Sequence, residues 1–138
     1  MSDILLDTHI WLWYAEGIAG TLSAGVVTQI EQARQERRLH VSVISVWEIG
    51  LLLAKNRIVL SAPLQEWIGQ GTALPGLRLR ALTAEVAIES TLLPGEPHAD
   101  PADRFLIAEA RVAGLTLVTA DRKIIDYGRA GHVRVLAA

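Results

Sequence analysis

"PADRFLIAEARVAGLTLVTADRK", residues 101–123, reads as a helix, a strand and the start of a second helix in immediate succession. Pro101 suits the first position of a helix and Gly114 is a common stop, so a helix is predicted over 101–113. The short apolar run at 115–119 predicts a strand, and a short helix is predicted after Asp121. The same alternation extends in both directions. Strands are predicted at 3–6, 39–44, 77–82, 115–119 and 132–136, and helices from near His9 and at 23–38, 45–56, 64–71 and 83–93. This order predicts an α/β class: one domain over residues 1–138, with a central, mainly parallel five-stranded sheet covered by helices on both faces.

The 138 residues suit one domain with one substantial core, and 51% of them are hydrophobic, which argues against disorder. No apolar run reaches the roughly 18 residues needed to cross a bilayer. The start, MSDILLD, lacks the basic region of a secretory signal, and cysteine is absent, so disulfides and thiolate metal sites are excluded and the cytoplasm is the expected location. A net charge of −2 gives no global sign of nucleic-acid binding. Arg34, Arg37 and Arg38 alternate with glutamates and read as a solvated helix face, while Arg78 and Arg80 read as the solvent side of a strand.

Asp7 is the one formal charge in the apolar stretch 4–15, and Glu48 the one in 46–54. Ligands of parallel sheets bind at the carboxyl ends of the strands, and the acids found there are Asp7, Glu48 and Asp121. Asp100 and Asp103 join them if the loop before their helix returns to that edge. Each acid alone reads as a helix cap. Ser45-Val46-Trp47-Glu48 fits a capping box, Asp100 fits an N-cap before Pro101, and Asp7 and Asp121 can each cap the helix that follows. Taken together, several carboxylates in one cleft repel each other unless a divalent cation neutralises them. An all-oxygen set suits Mg²⁺ or Mn²⁺ better than zinc. His9, His40, His98 and His132 are scattered and read as loop or strand residues with ordinary roles.

The segments LLDTHIWLWY, VSVISVWEIGLLLAK and LPGEPHADPADRFLIAEARVAGLTLVTADRKIIDYG resemble, in order and spacing, PIN-domain proteins of the VapC type, the toxin halves of toxin–antitoxin pairs. The likeness spans nearly the whole chain. It implies a metal-dependent endoribonuclease in which Asp7, Glu48, Asp103 and Asp121 are catalytic and hold the metal, with Asp100 as a further ligand candidate. Thr8 or Thr119 would be the small hydroxyl residue beside the acids. One departure is Gly50-Leu51-Leu52-Leu53 where many relatives carry a lysine soon after WEI, a place that Lys55 would have to fill.

Such a site would hydrolyse RNA with metal-activated water. Arg104, Arg122 and Lys123 are candidates to meet flanking phosphates, with a salt bridge the alternative for Arg104. Trp11, Trp13, Tyr14, Trp47 and 51–53 form more apolar helix surface than one core requires. The resemblance makes the excess a groove for a small cognate antitoxin and a homodimer interface. The rival readings are weaker. A phospho-receiver domain wants paired acids after strand one and a lysine after strand five, and an aspartate-nucleophile phosphatase wants an acid where His9 stands. A catalytically silent PIN-like binding module is the remaining alternative.

Overall fold

The computed structural model describes residues 2–18 and 20–138. Its elements, in chain order, are β1 (Ile4–Leu6), α1 (Thr8–Glu16), α2 (Ala24–Gln35), β2 (Leu39–Ser42), α3 (Val43–Ala54) and α4 (Leu64–Thr72). There follow β3 (Leu77–Arg80), α5 (Ala84–Thr91), α6 (Pro101–Ala113), β4 (Thr116–Thr119), α7 (Arg122–Arg129) and β5 (Val135–Ala137). The five strands lie in the order β3-β2-β1-β4-β5, and every pairing is parallel. No helix among the described residues is long and apolar enough to cross a membrane.

A parallel sheet needs helices on both faces, and successive strand residues supply one face each. Ile4 and Leu6 join a core with Ile10, Trp11, Ile30, Ile49 and Trp67, contributed by α1, α2, α3 and α4. Leu5, between them, joins a second core with Val86, Leu106, Ile107, Ile124 and Tyr127 from α5, α6 and α7. Strand order reverses at β1, which has β2 on one side and β4 on the other. The carboxyl ends of β1 and β4 therefore flank the crevice where open α/β sheets take their ligands.

Several predicted boundaries shift. β2 ends at Ser42 instead of residue 44, because the Ser42 hydroxyl caps α3 by accepting from the Ile44 N–H at 3.1 Å. The capping box expected at Ser45 and Glu48 consequently does not form, and Ser45 is buried inside the first turns of the helix. β3 is two residues shorter than expected, and β5 begins at Val135. Asp100 and Gly114 do bracket α6 as expected, with Gly114 at φ +68.

Arg80 is not a solvent-side residue. In parallel register with buried Ser42, it faces α6, and its Nε donates to Oε1 of Glu109 at 3.1 Å. Glu109 is only 1% exposed, and burial raises its carboxyl above the usual range while the Ser42 side chain and Arg80 oppose the rise. The reading of residues 77–82 by alternation assumed an uncovered strand face, whereas a helix covers this one. Removing Arg80 leaves a buried carboxylate without its cation. Arg80→Met is expected to lower stability by about 1–3 kcal/mol in urea denaturation, and adding Glu109→Leu to recover most of the loss. An unchanged midpoint in the single variant would show that the pair carries nothing.

Candidate active site

Asp7 is the residue at which β1 becomes α1. Its extended backbone (φ −62, ψ 156) makes it the N-cap, and Oδ1 accepts from the Thr8 N–H at 2.7 Å. The other carboxylate oxygen, Oδ2, accepts from the Thr119 hydroxyl at 2.6 Å, across the β1–β4 pairing. The Asp7 N–H donates to the Val118 carbonyl at 2.9 Å, so the residue is fixed at three points and 8% exposed. Thr8 then reaches α3. Its hydroxyl donates to Glu48 Oε1 at 2.5 Å, and a hydroxyl with its one proton so used accepts from Ser45 Oγ at 2.8 Å. The two hydroxyl residues expected beside the acids thus each serve a different carboxylate.

Asp103 stands in the first turn of α6, with Asp100 capping that helix by accepting from the Asp103 N–H at 3.1 Å. The helix runs against the strands, so its N-terminus lies at their carboxyl edge and the condition set on its preceding loop is met. Asp121 caps α7, accepting from the Ile124 N–H at 3.1 Å, while its own N–H donates to Thr119 Oγ1 at 3.0 Å. Donor atoms of Asp7, Glu48 and Asp103 lie within 4.8 Å of one another, and a second group within the same limit joins Asp103 to Asp121 and His98. Asp103 belongs to both. Asp100 belongs to neither.

His98 is the residue that sequence reasoning missed. The Asp100 N–H donates to its Nδ1 at 3.0 Å, so the proton of the neutral ring sits on Nε2. That nitrogen lies 3.1 Å from Asp103 Oδ2 and 3.4 Å from Asp121 Oδ2. The available signal was its place two residues before Asp100, in a proline-bounded loop that delivers both to one spot. Arg104 donates from its Nε to the Ser90 carbonyl on α5 at 3.0 Å and forms no salt bridge among the described residues. Arg122 and Lys123 are exposed on α7.

A model of the PIN domain matches residues 4–130. The chain belongs to the PIN-domain family. Among individual proteins it is 34% identical over 127 residues to "Ribonuclease VapC22" of Mycobacterium tuberculosis, covering 92% of this chain and 93% of that one. Solved structures share the fold as well. The DNA-bound VapBC of Salmonella typhimurium matches at 17% identity and a TM-score of 0.67, covering 99% of this chain and 98% of that chain. A toxin–antitoxin complex from Klebsiella pneumoniae matches at 17% and 0.62, covering 98% and 97%.

Electrostatics gives the PIN-domain site its character. Burial pushes Asp7 above the usual carboxylate range, with the Thr119 hydroxyl and the Thr8 N–H drawing it back. Burial also raises Glu48, against its bond from Thr8 and with Asp7 and Asp100 adding to the rise. Asp103 is pushed up to about 8, by burial first and then by the charges of Asp7, Asp100, Glu48 and Asp121. Three oxygen donors that repel one another in a shared volume are the donor chemistry of a hard divalent cation, so the set fits Mg²⁺ or Mn²⁺.

A carboxyl that holds its proton more tightly folded than unfolded stabilises the fold while protonated and loses that contribution as it ionises. In chelator, the melting temperature is therefore expected to fall as pH rises from about 4, near the unfolded value of an aspartate, through about 8, the folded value of Asp103. Asp103→Asn is expected to flatten this dependence, and Mn²⁺ to reverse it at the alkaline end. A flat profile for the unaltered chain would show that the acids are not coupled.

Proposed function

We propose that the protein is a divalent-cation-dependent endoribonuclease, a hydrolase of RNA phosphodiester bonds, and the toxin member of a toxin–antitoxin pair acting in the cytoplasm. The observation that carries the reading is the meeting of Asp7, Glu48 and Asp103 within one metal-sized volume on a chain 34% identical to a ribonuclease over nearly its full length. In this reading Asp7, Glu48 and Asp103 hold the principal ion. Asp121 completes the pocket, and Asp100 contributes charge at its margin.

When bound, Mg²⁺ or Mn²⁺ would supply Lewis acidity toward the phosphodiester and toward water. The chain's own part is orientation and proton custody. Thr8 and Thr119 hold three of the four carboxylate oxygens of Asp7 and Glu48 in fixed directions. Asp103 holds a proton more tightly than an ordinary carboxyl and would release it on taking up a cation. His98 keeps a proton at Nε2 between Asp103 and Asp121, placed to orient both. Attack by water with departure of the ribose 3′ oxygen leaves a 5′-phosphate and a 3′-hydroxyl.

The same reading supplies partners: an RNA substrate, a second copy of this chain, and a small antitoxin. The apolar surface noted in the sequence divides in the structure. Trp11 and Trp67 are core at 1% and 5% exposure, and with Tyr14 and Leu74 they form the floor of a cavity of about 330 Å³ between α1, α2 and α4. We assign this cavity to an apolar segment of the antitoxin; the structural neighbours solved as VapBC and toxin–antitoxin complexes support an antitoxin partner.

Calorimetric titration of Mn²⁺ into the purified chain is expected to give binding that Asp7→Asn and Asp103→Asn each abolish, together with a loss of at least about 100-fold in RNA hydrolysis. Binding untouched by both substitutions, or a 2′,3′-cyclic phosphate product, would overturn the mechanism. Co-expression with the protein encoded by the adjacent gene is expected to raise soluble yield and suppress cleavage.

A further inference from the structure

Trp11 and Trp67 are buried at 1% and 5% exposure and Trp13 packs against the same core, but Trp47 is 54% exposed. It precedes Glu48 on α3 and forms with Leu51 and Lys55 a row at four-residue spacing, hence one ridge of the helix. Beyond the ridge the chain turns sharply. Asn56 adopts φ +55, its N–H donates to the Leu53 carbonyl at 3.0 Å, and the Arg57 N–H donates to the Leu52 carbonyl at 2.9 Å. This six-to-one closure fixes where Lys55 and Arg57 leave the helix end. Neither cation forms an ion pair among the described residues.

Trp47, Leu51, Lys55 and Arg57 line a cavity of about 290 Å³ together with Glu48 of the same helix and with Asp100, Pro101 and Ala102 at the start of α6. It is therefore continuous with the acidic site. Its volume is near the lower bound of ligand pockets, about 300 Å³. One exposed indole and two unpaired cations in a pocket that shares a wall with the carboxylates are the parts a single-stranded nucleic acid needs. The aromatic face takes an unstacked base, and the cations take the phosphate beside it. A chain of net charge −2 has particular need of such cations, since the carboxylates repel every phosphate that a metal ion does not neutralise.

We propose that this cavity is the subsite for a nucleotide next to the cleaved bond, with its base stacked on Trp47 and its phosphate held by Lys55 and Arg57. The substrate is then RNA presented as a single strand at that point. This rests on the ribonuclease reading above. Duplex RNA is refused here, because a base that stays paired and stacked cannot reach the indole.

The test is fluorescence anisotropy of a fluorescein-labelled oligoadenylate with the full chain in the hydrolysis-silent Asp7→Asn background. Adding Trp47→Ala is expected to weaken binding about tenfold, while Trp47→Phe, which keeps an aromatic face, restores it to within about threefold. Replacing Lys55 and Arg57 by Gln is expected to lower the slope of log affinity against log salt by about 0.7 for each phosphate no longer neutralised. Mn²⁺ affinity of the Trp47→Ala chain should remain that of the unaltered protein. RNA binding and hydrolysis that ignore Trp47 would overturn the subsite alone. So would a Trp47→Ala change that alters the sedimentation of the protein but not its RNA affinity, since the indole then touches another protein chain. No RNA binding in the parent, with no RNA hydrolysis by the unaltered chain, would bring down the ribonuclease reading and the subsite with it.

Discussion

Mutual repulsion among acids held out of water governs this molecule. Asp7 lies at the meeting of the two central strands, where its own backbone, Thr8 and Thr119 immobilise it, and Glu48, Asp103 and Asp121 arrive from three other elements. Burial first, and then the charges of its neighbours, raise Asp103 to about 8. A fold that assembles them must draw on the two apolar cores above and below the sheet to hold them, or on a cation to neutralise them. The strength of the scaffold and the weakness of the site are two sides of one arrangement.

Much of the architecture was legible because chain direction alone decides it. In a parallel sheet whatever follows a strand lies at its carboxyl end, so Asp7, Glu48 and Asp121 could be placed together from order in the chain. Asp103 could not, since it precedes its strand and its position hangs on the path of the loop before α6. His98 escaped for a related reason: a lone histidine carries no periodic signal, and its contacts with Asp103 and Asp121 exist only once that loop is folded. Two errors came from local pattern. Ser45 and Glu48 have the spacing of a capping box, but Ser42 caps the helix first and leaves Ser45 to hydrogen-bond Thr8. Arg80 alternates with leucines as a surface residue would, and its pairing with buried Glu109 depends on a helix nearly thirty positions away.

Helix α3 illustrates how one element can carry two chemistries. Its inward face delivers Ser45 and Glu48 to the Thr8 hydroxyl, and its N-terminus is held by Ser42 at the end of a central strand. One position before Glu48, the Trp47 indole points to solvent, and the helix ends in a turn that sends two basic side chains to the same side. A glutamate and a tryptophan adjacent in sequence project about 100° apart on a helix, so one residue faces the ion site while its neighbour forms the wall beside it.

The bond between Thr119 and Asp7 spans 112 positions of the chain. Such long-range closure, and the parallel pairing of β1 with β4 that accompanies it, form late in folding relative to local helices. During synthesis, a ribosome would therefore have released Asp7 and Glu48 long before β4 and Asp121 emerge to complete the constellation. Until then the acids lie on separate, unjoined segments. The acid constellation is therefore complete only once β4 has joined β1 and brought Asp121 to the strand ends, an order of assembly that topology imposes.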